Sequence, residues 1–189
     1  MFQSERAIVT GRAHLEPTHF DEMPALSAGG SATGRGALGI AIEELKLGAA
    51  ETGGDNRGSF VAKYLNGLAP EGSNWCAGFV CWCFAQNPPL TFTYTVGARA
   101  LFSEMMRKKW TYALSEGFIP EPGGPTLGPG DLVFWWRVRA NGWQGHVGIV
   151  HHAAHGILHT IEGNRGPRVA GFSYTQSTMK ALLGFARIP

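Results

Sequence analysis

Three residues that lie far apart in the chain carry side chains suited to covalent catalysis at a carbonyl: Cys76, His146 and Glu162. A cysteine thiolate can attack a carbonyl carbon, and a histidine can take the thiol proton and return it. An acid or amide on the second ring nitrogen fixes the tautomer and the orientation of the imidazole. Asn164 follows Glu162 by two residues, so both side chains would point to one face of a strand. These four residues are the candidate catalytic set.

Cys76 lies near the start of the segment NWCAGFVCWCF (residues 74–84), which contains no charged residue. A helix that is apolar all round is usually buried at the centre of a domain. Asn74, or the serine before it, can cap this helix and place Cys76 in the first turn, where unpaired amide groups and the helix dipole favour a thiolate. The alternative is a small buried apolar residue, which is how we interpret Cys81 and Cys83.

His146 begins the run HVGIVHH (residues 146–152), whose composition predicts a strand. Its side chain would share a face with Gly148, which leaves space beside the imidazole. The alternative is a histidine that only caps the start of the strand. The later histidines lack the fixed spacing of a zinc motif and straddle a turn at Gly156, so the sequence predicts no metal site at His151, His152, His155 and His159.

The elements that must position these residues change in character along the chain. Apolar residues at helical spacing predict helices over residues 37–50, 59–68, 74–86 and 98–110. After a stretch rich in glycine and proline, short runs rich in Val, Ile, Phe and Trp predict strands over residues 131–137, 146–152, 157–162, 169–174 and 182–188. Helices first and strands second indicate an α+β fold, with the buried helix packed on an antiparallel sheet.

The first 36 residues show no clear periodicity and end in a run rich in glycine and serine, so we interpret 1–36 as a leader and linker and 37–189 as the catalytic domain. The formal charge of +2 and the absence of a Lys/Arg-dense run argue against nucleic-acid binding. No apolar run is long enough to span a membrane. The N-terminus lacks the pattern of a secretory signal, which predicts synthesis in the cytoplasm.

Several motifs together resemble the CHAP domains, the cysteine, histidine-dependent amidohydrolases/peptidases of the NlpC/P60-like, papain-like superfamily. The resemblance covers about residues 37–189 and rests on NWCAGFV (74–80), PGDLVFW (129–135), GHVGIV (145–150) and EGN (162–164), with LGFAR (183–187) similar to the last strand of the family. It implies a papain-like α+β fold, with Cys76 as the nucleophile, His146 as the base and Glu162 as the group that orients the imidazole. Asn164 matches a polar position that assists in some members.

The resemblance also implies an activity, namely cleavage of amide bonds in peptidoglycan as an N-acetylmuramoyl-L-alanine amidase or an endopeptidase. Such an enzyme would need no cofactor, would act as a monomer, and would reach the cell wall or periplasm by a delivery route other than a signal peptide. Some members bind calcium through acidic residues before the cysteine, but residues 68–74 offer only Glu71, so we predict no metal. Trp75, Trp136 and Trp143 are candidates for lining the cleft.

Two further functions stay open. The same chemistry could act on an amide outside peptidoglycan, such as one in a protein or a γ-glutamyl conjugate. The chain could also be a toxin-like effector whose leader binds an immunity or delivery protein. A binding module without activity is disfavoured, because the cysteine, histidine and acid are all present.

Overall fold

The computed structural model describes residues 16–189, and within them four helices come before most of the strands. The helices are α1 (Ala32–Lys46), α2 (Ser59–Leu65), α3 (Cys76–Ala85) and α4 (Ala98–Arg107). Two short 3-10 helices, Phe20–Glu22 and Glu116–Phe118, lie in the connections. None of the helices in residues 16–189 is long and apolar enough to cross a membrane.

The strands form one large antiparallel sheet and one small hairpin. In chain order they are β1 (Thr111–Tyr112), β2 (Leu114–Ser115), β3 (Ile119–Pro120), β4 (Leu132–Trp136), β5 (Gly145–Ala154), β6 (Ile157–Glu162), β7 (Ala170–Thr175) and β8 (Leu182–Ala186). The order in the six-stranded sheet is β1-β8-β4-β5-β6-β7, and β2 pairs with β3. The predicted α+β fold, with helices packed on a C-terminal antiparallel sheet, is therefore confirmed.

Helix α3 lies at the centre of the packing, as its charge-free sequence predicted. Eight of its ten residues are buried, and it contacts α1, α2, α4 and β5. Alternate residues of β5 divide between the two faces of the sheet. Val147 and Ile149 join the core under the helices, whereas Val150 joins a second core on the opposite face with Trp135. The sheet therefore has an apolar layer on both sides.

The first helix begins earlier than its apolar spacing predicted. Ser31 caps α1, because its Oγ accepts the amide hydrogen of Gly34 at 2.9 Å, and the helix starts at Ala32. The predicted division at residue 36 thus falls inside α1. Thr18, within the predicted leader, bridges Gly171 at the outer strand β7. Residues 1–15 of that leader lie outside the described part of the chain.

Candidate active site

The cysteine-bearing end of α3 is held by side chains from two other segments. Cys76 is the first residue of α3, and Trp75 occupies the cap position without a capping side chain of its own. The Trp75 amide N–H donates instead to Asn164 Oδ1 at 3.2 Å, and its indole N–H donates to Glu51 Oε1 at 3.1 Å. Asn164 in turn donates to Asn56. Asn164 therefore fixes the start of the helix, and the cap comes from the segment after β6.

The imidazole of His146 and the carboxylate of Glu162 form a buried pair on neighbouring strands. His146 Nε2 lies 2.6 Å from Glu162 Oε2, and neither side chain is exposed. The other carboxylate oxygen accepts hydrogen bonds from Thr160 Oγ1 and Tyr174 Oη, each at 2.6 Å. Gly148 leaves room for the acid, since a Cβ there would lie 2.7 Å from Glu162 Cγ. The structure brings together the two residues that the sequence proposed as base and orienting acid.

Arg137 contacts Nδ1 of His146, the ring nitrogen that faces away from Glu162. Its Nη2 lies 2.8 Å from His146 Nδ1 and 3.3 Å from the carbonyl oxygen of Asn164. A guanidinium is always protonated, so it donates, and Nδ1 accepts. Glu162 then receives the hydrogen on Nε2, and the two contacts together select one neutral tautomer of His146.

The charge states of His146 and Glu162 follow from burial, from their contact with each other and from two neighbouring arginines. Burial raises the pKa of Glu162, but the hydrogen bond and charge of His146 and the charge of Arg165 outweigh it, so the pKa lies below its ordinary value. Burial lowers the pKa of His146, and the positive charge of Arg137 lowers it further against the pull of Glu162. The acid is therefore ionised and the imidazole neutral at physiological pH.

Cys76 lies beside β5, the strand that carries His146. Burial raises the pKa of its thiol above the ordinary value, while the charge of Arg137 and hydrogen bonds from the amides of Val147 and Ala77 act in the opposite direction. The sequence predicted a thiolate at this helix end. Burial works against that charge, because Cys76 is only 2 % exposed and loss of solvent raises the pKa of the thiol.

The three tryptophans proposed for substrate contact lie in different surroundings. Trp75 is fully buried and stacks on Tyr64 with the ring centroids 5.4 Å apart, so in this conformation it packs the helix end. Trp136 is half-buried at the end of β4, opposite Gly145. Trp143 is 77 % exposed in the loop between β4 and β5. The loop before His146 thus offers an aromatic side chain to solvent.

His151 and His152 lie further along β5, His159 lies on β6, and His155 lies in the turn between them. The His152 and His159 rings are 5.9 Å apart, and His159 Nδ1 contacts Ser173 Oγ at 2.8 Å. Among residues 16–189, no group of three or more His, Cys, Asp or Glu side chains is arranged to hold a metal ion.

The sequence reasoning missed three side chains of this site: Arg137, Thr160 and Tyr174. Thr160 precedes Glu162 by two residues, so strand alternation alone could have placed its hydroxyl on the same face as the acid. Tyr174 lies on the next strand, and Arg137 follows β4 by one residue, so their positions depend on pairing that the sequence does not state.

A comparison with family models matches residues 68–164 of this chain to the CHAP domain. Among curated proteins, no sequence matches the chain. The matched region contains all four motifs, three of which carry the cysteine, the histidine and the acid, and it covers just over half of the 189 residues. CHAP domains are cysteine, histidine-dependent amidohydrolases/peptidases that generally act on peptidoglycan, so the match indicates a hydrolase of the amidase or peptidase type. With its helix-borne cysteine and its strand-borne histidine and acid, the chain belongs to the CHAP domain family.

Proposed function

We propose that this protein hydrolyses an amide bond in peptidoglycan, with Cys76 as the nucleophile. The observation that carries the proposal is the buried His146–Glu162 pair, 2.6 Å apart, together with the hydrogen bond from the amide of Val147, the residue after His146, to the Cys76 thiol. A neutral imidazole held by an ionised acid is a competent general base, and the Cys76 thiol supplies the nucleophile.

In the proposed reaction His146 Nδ1 takes the proton of the Cys76 thiol while the sulfur attacks the carbonyl carbon of the scissile amide. The imidazolium then gives that proton to the leaving amine, and the carbon–nitrogen bond breaks. Water adds to the thioester with His146 again as base, which releases the acid product and restores the thiol. Glu162 stays ionised and holds Nε2–H throughout, because it stabilises the imidazolium that forms.

The start of α3 can stabilise the negative charge that develops on the substrate carbonyl oxygen in this mechanism. The amide N–H of Cys76 belongs to the first turn of the helix and has no acceptor within the helix by position. It is our candidate for one donor to the oxyanion of the tetrahedral intermediate. The helix dipole favours negative charge at the same place.

Digestion of purified sacculi by the wild-type protein and two cysteine variants tests the proposal. Cys76→Ala should abolish the release of muropeptides, because it removes the nucleophile. Cys83→Ala, the matched control in the same helix, should retain cleavage and lose roughly 1 kcal/mol of stability from core packing. Mass spectrometry of the released muropeptides identifies the bond, and so separates an N-acetylmuramoyl-L-alanine amidase from an endopeptidase.

Two results would contradict the proposal. If folded Cys76→Ala still cleaves sacculi, Cys76 is not the nucleophile. If the wild type leaves sacculi intact but hydrolyses a protein or a γ-glutamyl amide, the chemistry is right and the substrate class is wrong.

A further inference from the structure

The contact between Arg137 and His146 conflicts with the proposed reaction. Arg137 Nη2 lies 2.8 Å from His146 Nδ1, and this nitrogen has to accept the proton of the Cys76 thiol because Glu162 holds the other one. While the guanidinium donates to Nδ1, the lone pair that the base needs is occupied. Substrate binding must therefore displace Arg137 from the imidazole.

The two acceptors that Arg137 contacts carry no negative charge, so the positive charge of its guanidinium is not neutralised by them. Nη2 contacts an imidazole nitrogen at 2.8 Å and the carbonyl oxygen of Asn164 at 3.3 Å, and both acceptors are neutral. A planar guanidinium binds a carboxylate through two parallel hydrogen bonds, which are about twice as strong as bonds between neutral groups. A carboxylate brought to this place would therefore compete well for Arg137.

A second guanidinium lies at the same end of the sheet. A Cβ on Gly145, the residue before His146, would lie 3.0 Å from Arg99 Cγ, so Arg99 packs directly on that residue. Within residues 16–189 its Nη1 is buried and has no hydrogen-bond partner. Arg137 pairs with the same hairpin, since its amide N–H donates to Gln144 at 3.1 Å. Two arginines, Arg137 after β4 and Arg99 of α4, therefore lie next to the loop end of the β4–β5 hairpin, and Arg99 has an unused donor.

We propose that Arg137 is a specificity-determining residue that binds a carboxylate of the substrate next to the scissile amide, and that this carboxylate draws the guanidinium away from His146 Nδ1. The inference rests on the proposed function and adds a substrate class to it, namely peptides with a free carboxylate beside the cleaved bond. In the absence of such a carboxylate, Arg137 stays hydrogen-bonded to His146 Nδ1, and this nitrogen cannot accept the thiol proton. Binding of the substrate carboxylate then frees His146 Nδ1 to act as the base.

Alkylation of Cys76 by an anionic and a neutral reagent tests the carboxylate site without any peptidoglycan. Iodoacetate carries a carboxylate and iodoacetamide does not, and both react with the thiolate, so the thiolate fraction cancels from the ratio of their rates. Mass spectrometry of the folded protein follows the modification at Cys76. In the wild type we expect a high iodoacetate-to-iodoacetamide ratio, and Arg137→Gln should lower it about tenfold because a guiding charge is lost. Arg139→Gln, an exposed arginine of the same loop, is the control and should keep the wild-type ratio.

A second arm tests whether the carboxylate is on the substrate. Sacculi are compared with sacculi whose carboxyl groups have been converted to carboxamides. Wild type and Arg139→Gln should prefer the native material, and Arg137→Gln should lose the preference. An unchanged alkylation ratio in Arg137→Gln, or an unchanged preference, overturns the inference. If the wild type cleaves neither material, the peptidoglycan proposal fails, while the alkylation ratio still decides whether Arg137 binds a carboxylate.

Discussion

At the scale of single residues, the site depends on a carboxylate that only accepts hydrogen bonds. Glu162 receives His146 Nε2–H on one oxygen and the hydroxyls of Thr160 and Tyr174 on the other. A carboxylate satisfies these three donors, whereas a carboxamide presents its own N–H hydrogens to one side. The acid is thus required both for its charge and for its acceptor geometry.

Glu162→Gln is therefore expected to lower kcat by roughly 10²-fold or more, because the amide favours the wrong tautomer of His146 and leaves the imidazolium without its counter-ion. The rate of muropeptide release measures the effect. Thr160→Val, which removes one donor to the far oxygen, should reduce the rate much less. Equal rates for Glu162→Gln and the wild type would show that the acid has no part in orienting the base.

At the scale of elements, β5 and β6 lie so close together that a glycine at position 148 is needed to make room for the Glu162 side chain. Gly148 on β5 faces Glu162 on β6, and a Cβ would meet Glu162 Cγ at 2.7 Å. Contacts under 3.0 Å force a shift, and here the neighbour is tied by three hydrogen bonds. The glycine is needed for clearance between two strands.

Gly148→Ala should displace Glu162, reduce turnover at least about tenfold and cost roughly 1–3 kcal/mol of stability from overpacking. Gly166→Ala is the matched control, since nothing lies within 4 Å of a Cβ there. Kinetics of sacculus digestion and urea unfolding of both variants separate the two effects. A Gly148→Ala protein with wild-type kinetics would mean that Glu162 can move without loss.

The helices and strands that could be predicted from the sequence are those marked by a pattern within a few consecutive residues. The charge-free run around Cys76 predicted the central helix, and the run at His146 predicted its strand. The start of α1 was missed because Gly34 suggests a flexible linker. In the fold this glycine permits close packing, since a Cβ would lie 2.7 Å from Gly130 O, nearly a hundred residues away. Arg137 was missed for the same reason: its contact with His146 depends on which residues of β4 and β5 are paired.

At the scale of the whole molecule, the beginning and the end of the described chain are tied together. Ser31 Oγ donates to Ile188 O, and Thr33 Oγ1 donates to Pro189 O at 2.7 Å. Thr18 adds a backbone hydrogen bond to Gly171 at 2.9 Å. Ser31 and Thr33 lie in the part of the chain that composition assigned to a leader, so we propose that residues 27–36 contribute to the stability of the domain.

Two truncated chains test this proposal. A chain without residues 1–36 loses the Ser31 cap and the first turn of α1, whereas a chain without residues 1–26 keeps both. The shorter chain should lose at least about 1 kcal/mol from the cap alone, which lowers the melting temperature by roughly 2–4 °C for a protein of this size. Both chains should cleave the same bond below their melting temperatures. Equal melting temperatures would support a separate leader that ends at residue 36.

The burial of the three cysteines has a consequence for the durability of the protein in oxidising surroundings. Cys76, Cys81 and Cys83 are all free and buried, and burial raises the pKa of each thiol. Peroxides and disulfides react with the exposed thiolate form, so a shielded and protonated thiol is oxidised slowly. We therefore expect the thiols of the folded protein, that of the proposed nucleophile included, to stay reduced longer in oxidising surroundings than an exposed cysteine would.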